Sequence, residues 1–466
     1  MSQPVRAQPP LRFIPPNYTP IVRSATRLLL PYLRWHYGIG KVEVEGIDRL
    51  ADLYADFAAN KTRFLLAFRH SNPNDPLCMA TLVWNRLPRA ARARGLKITQ
   101  PPHSHFIYDR GIPLWAGKLV GWTYAHLGGT PIRRGKADLA GLKSARQLFA
   151  NGSFPIGAAP EGATNGHNCI VGAIEPGIAQ FGFWCVEDLQ KSDRSEDVLI
   201  VPIGIQYFYD TPPWNAIDRL LRELETATGL EAEPAIATAD PLTPDQEMRL
   251  YQRLLRLGGQ LLTQLEQFYS KFYHQPLPTP AQTAPLDANL DVANAQIADR
   301  LSALMNAALT VSEITFNLPP KGSFTDRCRR LEQAAWDRIY REDLPDLETL
   351  SPIDRALADR VAQEAEESLW HMRIVETLVS VTGHYVREKF TADRFAETLL
   401  LLWDVSRRIQ GQFPFPRPKL ACQTAIVTVG EPLSVSDRHS AYKANRRQAV
   451  TDLTADLQTA LEKLIR

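Results

Sequence analysis

Cysteine is scarce in this sequence of 466 residues, and none of its five cysteines forms a C-x-x-C pair with another. This spacing argues against a disulfide framework and against a zinc site, so we expect no metal and a reducing compartment. An excess of one charge is missing as well, because the formal net charge is only +2. Nucleic-acid-binding proteins usually carry a clear basic excess, so we expect no nucleic acid among the partners.

Long hydrophobic runs are also absent. No stretch of about 18 uncharged apolar residues, the length that a transmembrane helix needs, occurs in the chain. The first residues include Pro9, Pro10, Pro15 and Pro16 but no apolar core of the kind found in secretory signals. The sequence therefore predicts a cytoplasmic protein without a secretory signal or a transmembrane helix.

The chain is too long for a single ordinary core, and its content of 44% apolar and 22% charged residues is typical of a soluble globular protein. Strand and helix patterns alternate from about residue 42 to 210, which predicts an α/β domain. We expect five segments: an N-terminal arm with an amphipathic helix (1–40), an α/β domain (41–274), a proline-rich linker (275–289), a helical domain or insertion (290–412), and a terminal strand and helix (413–466) that can return to the edge of the α/β sheet.

Residues 20–38 are predicted to form an amphipathic helix. Arg23, Arg27 and Arg34 fall on one stripe at helical spacing, and the apolar residues lie largely away from them. This pattern suits a helix that lies in a membrane interface, which would make the protein peripheral on a membrane. The alternative is a helix that packs on its own domain. A basic cluster at residues 86–97 either meets anionic lipid headgroups or forms a solvated helix face.

An apolar run of strand length, Phe64–Phe68, leads to His70 and, five residues later, to Asp75. A buried strand would bring His70 to the carboxyl edge of a sheet, where open α/β folds bind their ligands. With Pro73 in the first turn of the next helix, that turn can bring the carboxylate back to the imidazole. Such a pair fixes the tautomer and leaves the other ring nitrogen to accept a proton from a hydroxyl. The alternative is a capped helix start with an exposed His–Asp pair.

Two later segments place polar residues beside predicted strands. Gly129–Lys136 does not fit the P-loop pattern and is predicted to be a loop carrying Arg133 and Arg134. Only one of these arginines would face a site, because neighbouring side chains of an extended segment point opposite ways. Glu161 follows another apolar run and stands on a turn at Gly162, where it would be available to a polar ligand. The alternatives are two surface arginines and an ordinary loop acid.

The order and spacing of these segments resemble the glycerophospholipid acyltransferase family, which contains the lysophosphatidic acid acyltransferases. His70 with Asp75 is similar to the family's H-x4-D motif, and Gly129–Gly135 is similar to its G-x-x-F-I-x-R block, with Arg134 at the arginine. Further on, Pro160-Glu161-Gly162 resembles the start of the P-E-G-T-R block, and Ile200–Gly204 and Val427–Ser436 resemble the V-P-I strand and the closing segment. The likeness covers about residues 40–210 and implies an α/β domain behind a membrane-docking helical segment.

The resemblance implies an acyltransferase without a cofactor. It would move a fatty acyl group from a thioester, acyl-CoA or acyl-ACP, to a hydroxyl of a glycerophosphate or lysophospholipid, with His70 as the base and Asp75 orienting it. Arg133, Arg134, Glu161, Gly162 and Thr164 would bind the acceptor.

Two positions depart from the family pattern. Arg69 stands where the family usually has asparagine, and Thr164 stands where many members have a phosphate-binding arginine. Arg133, Arg134 or Lys136 would supply the missing charge, or the acceptor is a different alcohol or an amine. The alternative function is that of a catalytically inactive lipid- or partner-binding protein on the same scaffold. A hydrolase is disfavoured because the chain lacks a G-x-S-x-G elbow.

Overall fold

The structure, a computed structural model, describes residues 5–98, 100–133, 138–235, 241–277, 290–344, 346–381 and 383–466. The chain forms two compact units. The α/β unit comprises Phe13–Asp210 and Cys422–Arg466, and the helical unit comprises Met1–Arg12 and Thr211–Ala421. None of the helices in the described ranges is long and apolar enough to cross a membrane.

The first part of the α/β unit alternates strands and helices, as the sequence predicted. Its strands are β1 (Ile39–Glu45), β2 (Thr62–Phe68), β3 (His105–Asp109), β4 (Gly129–Ile132), β5 (Ile156–Ala158) and β6 (Asp197–Tyr209). Its helices are α1 (Pro20–His36), α2 (Ile47–Ala58), α3 (Asp75–Thr81), which a π-helical turn (Leu82–Arg86) joins to α4 (Leu87–Ala93), then α5 (Ile112–Trp115), α6 (Lys118–His126), α7 (Leu139–Asn151) and α8 (Gly177–Lys191).

The helical unit follows, and the chain then returns to the sheet. The helical unit contains α9 (Trp214–Ala227), α10 (Pro244–Tyr273), α11 (Leu290–Phe316), α12 (Phe324–Ile339), α13 (Pro352–Leu378), α14 (Tyr385–Glu388) and α15 (Ala392–Ile409). The returning segment contains β7 (Gln423–Val429), β8 (Leu433–Ser434), α16 (His439–Ala444) and α17 (Arg446–Glu462). Residues 211–421 are therefore inserted between two parts of the α/β unit.

One mixed sheet organises the α/β unit. Its strand order is β1-β7-β6-β2-β5-β3-β4, with β8 also paired to β6. β2 pairs in parallel with β5 and β6, β5 pairs in parallel with β3, and β3 pairs in parallel with β4. The carboxyl ends of these strands therefore lie along the same edge of the sheet, which is where open α/β folds place their sites.

The central strand β2 shows why the sequence folds in this way. Its residues are apolar from Phe64 to Phe68, without the polar alternation of a half-exposed strand, and both of its faces are covered. Phe64 and Leu66 pack in the core beneath α1–α4, whereas Leu65 and Ala67 pack in the core formed with α7, α8 and α17. Successive side chains of a strand point to opposite faces, so one apolar run contributes to both cores.

The boundary between the units differs from the prediction. The α/β domain was expected to extend to residue 274, but α9 and α10 belong to the helical unit. A buried ion pair network joins them, in which Arg253 of α10 donates hydrogen bonds to Glu225 at 2.9 Å and to Asp218 at 2.6 Å. The proline-rich segment 275–289, of which residues 275–277 are described, follows α10 within the helical unit and does not separate the two units.

The helical segment before β4 is divided into α5 and α6 at Gly117, whose positive φ of 94° breaks the helix. Two local predictions differ from the structure. Gly129–Ile132, expected as part of a loop, is the edge strand β4. The returning strand β7 lies between β1 and β6, inside the sheet and not at its edge.

Pro202 lies inside β6, although a proline cannot donate a hydrogen bond to a neighbouring strand. The strand pairs with β2 on one side and with β7 and then β8 on the other. The carbonyl of Pro202 accepts a hydrogen bond from the Gly430 amide at 2.9 Å, in the turn between β7 and β8. The backbone nitrogen and carbonyl of a strand residue face the same neighbouring strand. The Pro202 nitrogen therefore faces the turn between β7 and β8, where the hydrogen-bond ladder is interrupted. The missing N–H donor costs little stability there.

His103 is a buried histidine that makes the stability of the α/β unit depend on pH. Its Nδ1 accepts a hydrogen bond from Trp84 Nε1 at 3.0 Å, and its Nε2 donates to the Leu127 carbonyl at 2.8 Å. Burial lowers the pKa of His103 from 6.5 to about 3. The folded state therefore keeps this ring neutral, and its contribution to stability is complete above pH 6.5 and is lost as the pH falls towards 3.

We expect wild-type protein to lose more stability than the variant His103→Gln between pH 7 and pH 5. The unfolded chain takes up one proton that folded His103 does not, which amounts to about 1.4 kcal/mol per pH unit below pH 6.5 and about 2 kcal/mol in all. Denaturant titrations of both proteins at the two pH values give the loss of free energy of unfolding in each. Groups that titrate alike in both proteins cancel when the two losses are subtracted. An equal loss of free energy of unfolding in both proteins would contradict a neutral, buried His103.

Candidate active site

His70 and Asp75 lie together at the carboxyl edge of the sheet. β2 ends at Phe68, two residues before His70, and α3 begins at Asp75 with Pro76 in its first turn. The turn between them folds back, because the Asn72 amide donates a hydrogen bond to Asp75 Oδ2 at 3.0 Å. The same oxygen lies 3.0 Å from His70 Nδ1. The short Pro-containing turn therefore brings together the two side chains that the sequence singled out.

The environments of the two side chains differ in the way that a general base and its orienting acid require. The Asp75 side chain is fully buried, whereas that of His70 is 23% exposed. Because the Asp75 carboxylate accepts a hydrogen bond from Nδ1, the neutral imidazole carries its proton on Nδ1 and has its lone pair on Nε2. Among the residues that the structure describes, none forms a hydrogen bond with Nε2. This nitrogen is available to accept a proton from a bound molecule.

Behind Asp75, a tyrosine and a cysteine complete a buried chain of hydrogen bonds. The Tyr207 hydroxyl donates to Asp75 Oδ1 at 2.6 Å, and the Cys78 thiol, 3.3 Å away, donates to the tyrosine oxygen. Burial raises the pKa of Tyr207 well above its ordinary value and raises that of Cys78 to about 12. Both groups therefore remain protonated, and Tyr207 acts as a permanent donor that holds the carboxylate towards His70.

Glu161 plays a different part from the one expected of it. Its carboxylate is buried and accepts hydrogen bonds from the His70 amide at 2.8 Å, from the Gly172 amide at 2.8 Å and from Asn165 at 3.0 Å. Burial raises the pKa of Glu161, and the nearby Arg69 guanidinium opposes that rise. The side chain therefore fixes the backbone at His70 to the loop 161–172, whereas the sequence suggested a carboxylate available to a polar ligand.

Arg69 also holds the loop 161–172 in place. Its guanidinium is fully buried and donates hydrogen bonds to the carbonyl oxygens of His167, Asn168 and Ile170. The Asn168 side chain in turn pairs with the backbone of Tyr207, whose amide donates to Asn168 Oδ1 at 2.9 Å. The residue preceding the catalytic candidate thus connects the loop after β5 to the strand that carries Tyr207.

The expected acceptor-binding residues have different positions. Gly162 has a positive φ of 74°, which provides the turn after Glu161, and Thr164 is exposed in the same loop. Arg133 is buried just after β4, at the sheet edge that also carries His70, and its amide donates to Asp138 Oδ2 at 2.9 Å. β5 and β3 lie between β2 and β4, which separates the two strands by roughly 14 Å.

Two cationic candidates, Arg134 and Lys136, lie outside the described residues. Within the described ranges, no group of three or more His, Cys, Asp or Glu side chains is arranged to hold a metal ion.

The chain matches no protein-family model, no curated protein and no solved structure. Sequence reasoning missed Tyr207, Arg69 and Asn168 as parts of the site, because each acts across strands that are distant in sequence. One available signal was Tyr207 itself, a polar aromatic residue close after the apolar run 198–205.

Proposed function

We propose that the α/β unit transfers an acyl group from a thioester to a hydroxyl acceptor, with His70 as the general base. The observation that carries the proposal is the His70–Asp75 pair at 3.0 Å, in which Nδ1 is bound to a buried carboxylate while the His70 side chain is 23% exposed. The order of the motifs supports an acceptor of the glycerophosphate or lysophospholipid class and an acyl-CoA or acyl-ACP donor. A cytoplasmic, membrane-peripheral enzyme is proposed on the same grounds.

In the proposed reaction, the acceptor hydroxyl gives its proton to His70 Nε2 while its oxygen bonds to the thioester carbonyl carbon. The resulting tetrahedral intermediate collapses, the carbon–sulfur bond breaks, and the leaving sulfur takes the proton back from the imidazolium. Asp75 stabilises the imidazolium, and Tyr207 keeps Asp75 in place. No nucleophile from the protein is needed, because the acceptor oxygen is the nucleophile. Arg133 or Arg134 is proposed to bind an acceptor phosphate, Gly162 and Thr164 are proposed to contact the acceptor, and Glu161 supports their loop.

The proposal that this unit works at a membrane surface is supported by α1. This helix exposes several large apolar side chains, which include Leu28, Tyr32 and Trp35, and it carries arginines as well. An amphipathic helix of this composition can bury its apolar side chains at the boundary between headgroups and acyl chains. A lipid acceptor would then reach the site without leaving the membrane.

A lipid-binding protein without turnover is the second candidate. It is favoured by Thr164, a neutral residue at the position where the resembled family often has a phosphate-binding arginine. The two candidates differ in one measurable property, the release of thiol from the donor.

The test incubates the purified full chain with acyl-CoA or acyl-ACP in the presence of lysophosphatidic acid, and free thiol is measured over time. We expect thiol release that depends on the acceptor, together with formation of the diacyl product. Thiol release at the same rate without an acceptor would indicate a hydrolase. Binding of lysophosphatidic acid with no thiol release from either donor would favour the second candidate.

A further inference from the structure

A basic groove lies on the α/β unit between α1 and the helices α3 and α4. It has a volume of about 670 Å³, and its walls include Arg27, Leu28, Pro31 and Arg34 from α1 and Arg86 and Arg89 from the facing segment. We call it the arginine groove. His70 and Asp75 do not line it, so it is a second site and not an extension of the candidate active site.

The four arginines of this groove have no carboxylate partner among the residues that the structure describes. Arg27 donates to the side-chain oxygen of Asn85 at 3.0 Å, and Arg86 donates to the Val42 carbonyl at 2.7 Å, so the acceptors of both are neutral groups. Arg94, which follows α4, shows the contrast, because it pairs with Asp52 at 2.8 Å. Four guanidinium groups around one hollow repel each other, and an anion bound between them would offset that repulsion.

The chemistry of the groove favours a phosphate group. Guanidinium groups bind phosphate oxygens through paired hydrogen bonds, and arginine is the residue best suited to that geometry. Leu28 and Pro31 line the same hollow, and the neighbouring turns of α1 expose Leu29, Tyr32 and Trp35. Side chains suited to an anion and side chains suited to hydrocarbon therefore lie next to each other. This arrangement fits a phospholipid with its headgroup in the groove and its chains against α1.

We propose that the arginine groove binds the phosphate group of an anionic phospholipid. A soluble phosphate monoester shares the same chemistry, and the exposed apolar residues of α1 favour the lipid as the source. The proposal does not depend on acyl transfer, because binding to this groove is measured in the absence of any thioester.

The test compares the double variant Arg27→Gln/Arg89→Gln with a matched control, Arg92→Gln/Arg447→Gln. All four arginines are exposed, both pairs remove two charges, and neither Arg92 nor Arg447 lines the groove. Binding of the full chain is measured by sedimentation with vesicles of phosphatidylcholine alone and of phosphatidylcholine containing phosphatidic acid. Binding of soluble glycerol 3-phosphate and of inorganic phosphate is measured by calorimetry, and circular dichroism checks that each variant is folded.

We expect the groove variant to bind vesicles with phosphatidic acid at least about tenfold more weakly than wild type, and the control to remain within about threefold. If the groove variant alone loses glycerol 3-phosphate binding while vesicle binding is unchanged, the groove binds phosphate but its ligand is a soluble molecule and not a lipid. Equal effects of the two variants, or no effect of either, would overturn the proposal. Acyl transfer by the groove variant is measured separately, so a failure here and a failure of the proposed function are distinguishable.

Discussion

Replacing His70 by alanine is expected to lower the rate of acyl transfer by about 10²–10⁴-fold, the usual contribution of a positioned general base. The imidazole is bound through Nδ1 to a buried carboxylate, and its side chain is partly exposed. Its loss removes a proton transfer that occurs in the transition state, so kcat should fall while the affinity for the acceptor changes little. Steady-state thiol release at varied acceptor concentration measures both quantities.

The fold should survive this substitution. The side chain of His70 is partly exposed, and the contact that supports the loop uses the His70 backbone amide, which alanine keeps. A matched control is His384→Ala, which removes an exposed histidine of the helical unit and should transfer acyl groups at the wild-type rate. Wild-type turnover by folded His70→Ala protein would show that the base has been wrongly assigned.

The part of the site that could be predicted from sequence is the part made by neighbours in the chain. His70 and Asp75 are joined by a strand end, a proline-containing turn and a helix start, and each of these has a local signal in the sequence. The α/β class of this unit followed from the alternation of strand and helix patterns over residues 42–210, and the structure confirms it.

The remaining parts depend on strand order, which no local pattern contains. Tyr207 reaches Asp75 across 132 positions because β6 and β2 are neighbours in the sheet. Glu161 was interpreted as a loop carboxylate available to a polar ligand because charged residues in loops are usually exposed. Only the pairing of β2 with β5 places its carboxylate at the His70 amide. The unit boundary was misplaced for a similar reason, since a proline-rich segment shows where helices end but not which core they join.

The largest expected effect on stability comes from Arg69→Met. The substitution removes a fully buried cation and leaves the carbonyl groups of His167, Asn168 and Ile170 without that donor. Breaking a buried charged interaction in this way typically costs about 3–5 kcal/mol. Because the same loop fixes Tyr207 through Asn168, acyl transfer should fall as well. Denaturant titration gives the free energy of unfolding, and exposed Arg92→Met is the control, expected within about 0.5 kcal/mol of wild type.

Arg69 is expected to contribute to stability in two ways, through its hydrogen bonds to the loop carbonyls and through its charge near Glu161. A second substitution separates these two contributions. Burial raises the pKa of Glu161, and Arg69 makes the largest contribution that opposes this rise, ahead of the His70 and Gly172 amides. Without Arg69, an ionised Glu161 is therefore a buried charge with less compensation. Glu161→Gln removes that charge and keeps an oxygen that can accept from the His70 amide. The double variant Arg69→Met/Glu161→Gln should therefore lose less free energy than the sum of the single variants, by about 1–3 kcal/mol. Strict additivity would mean that Arg69 acts through its carbonyl contacts alone and that its charge does not stabilise the carboxylate beneath His70.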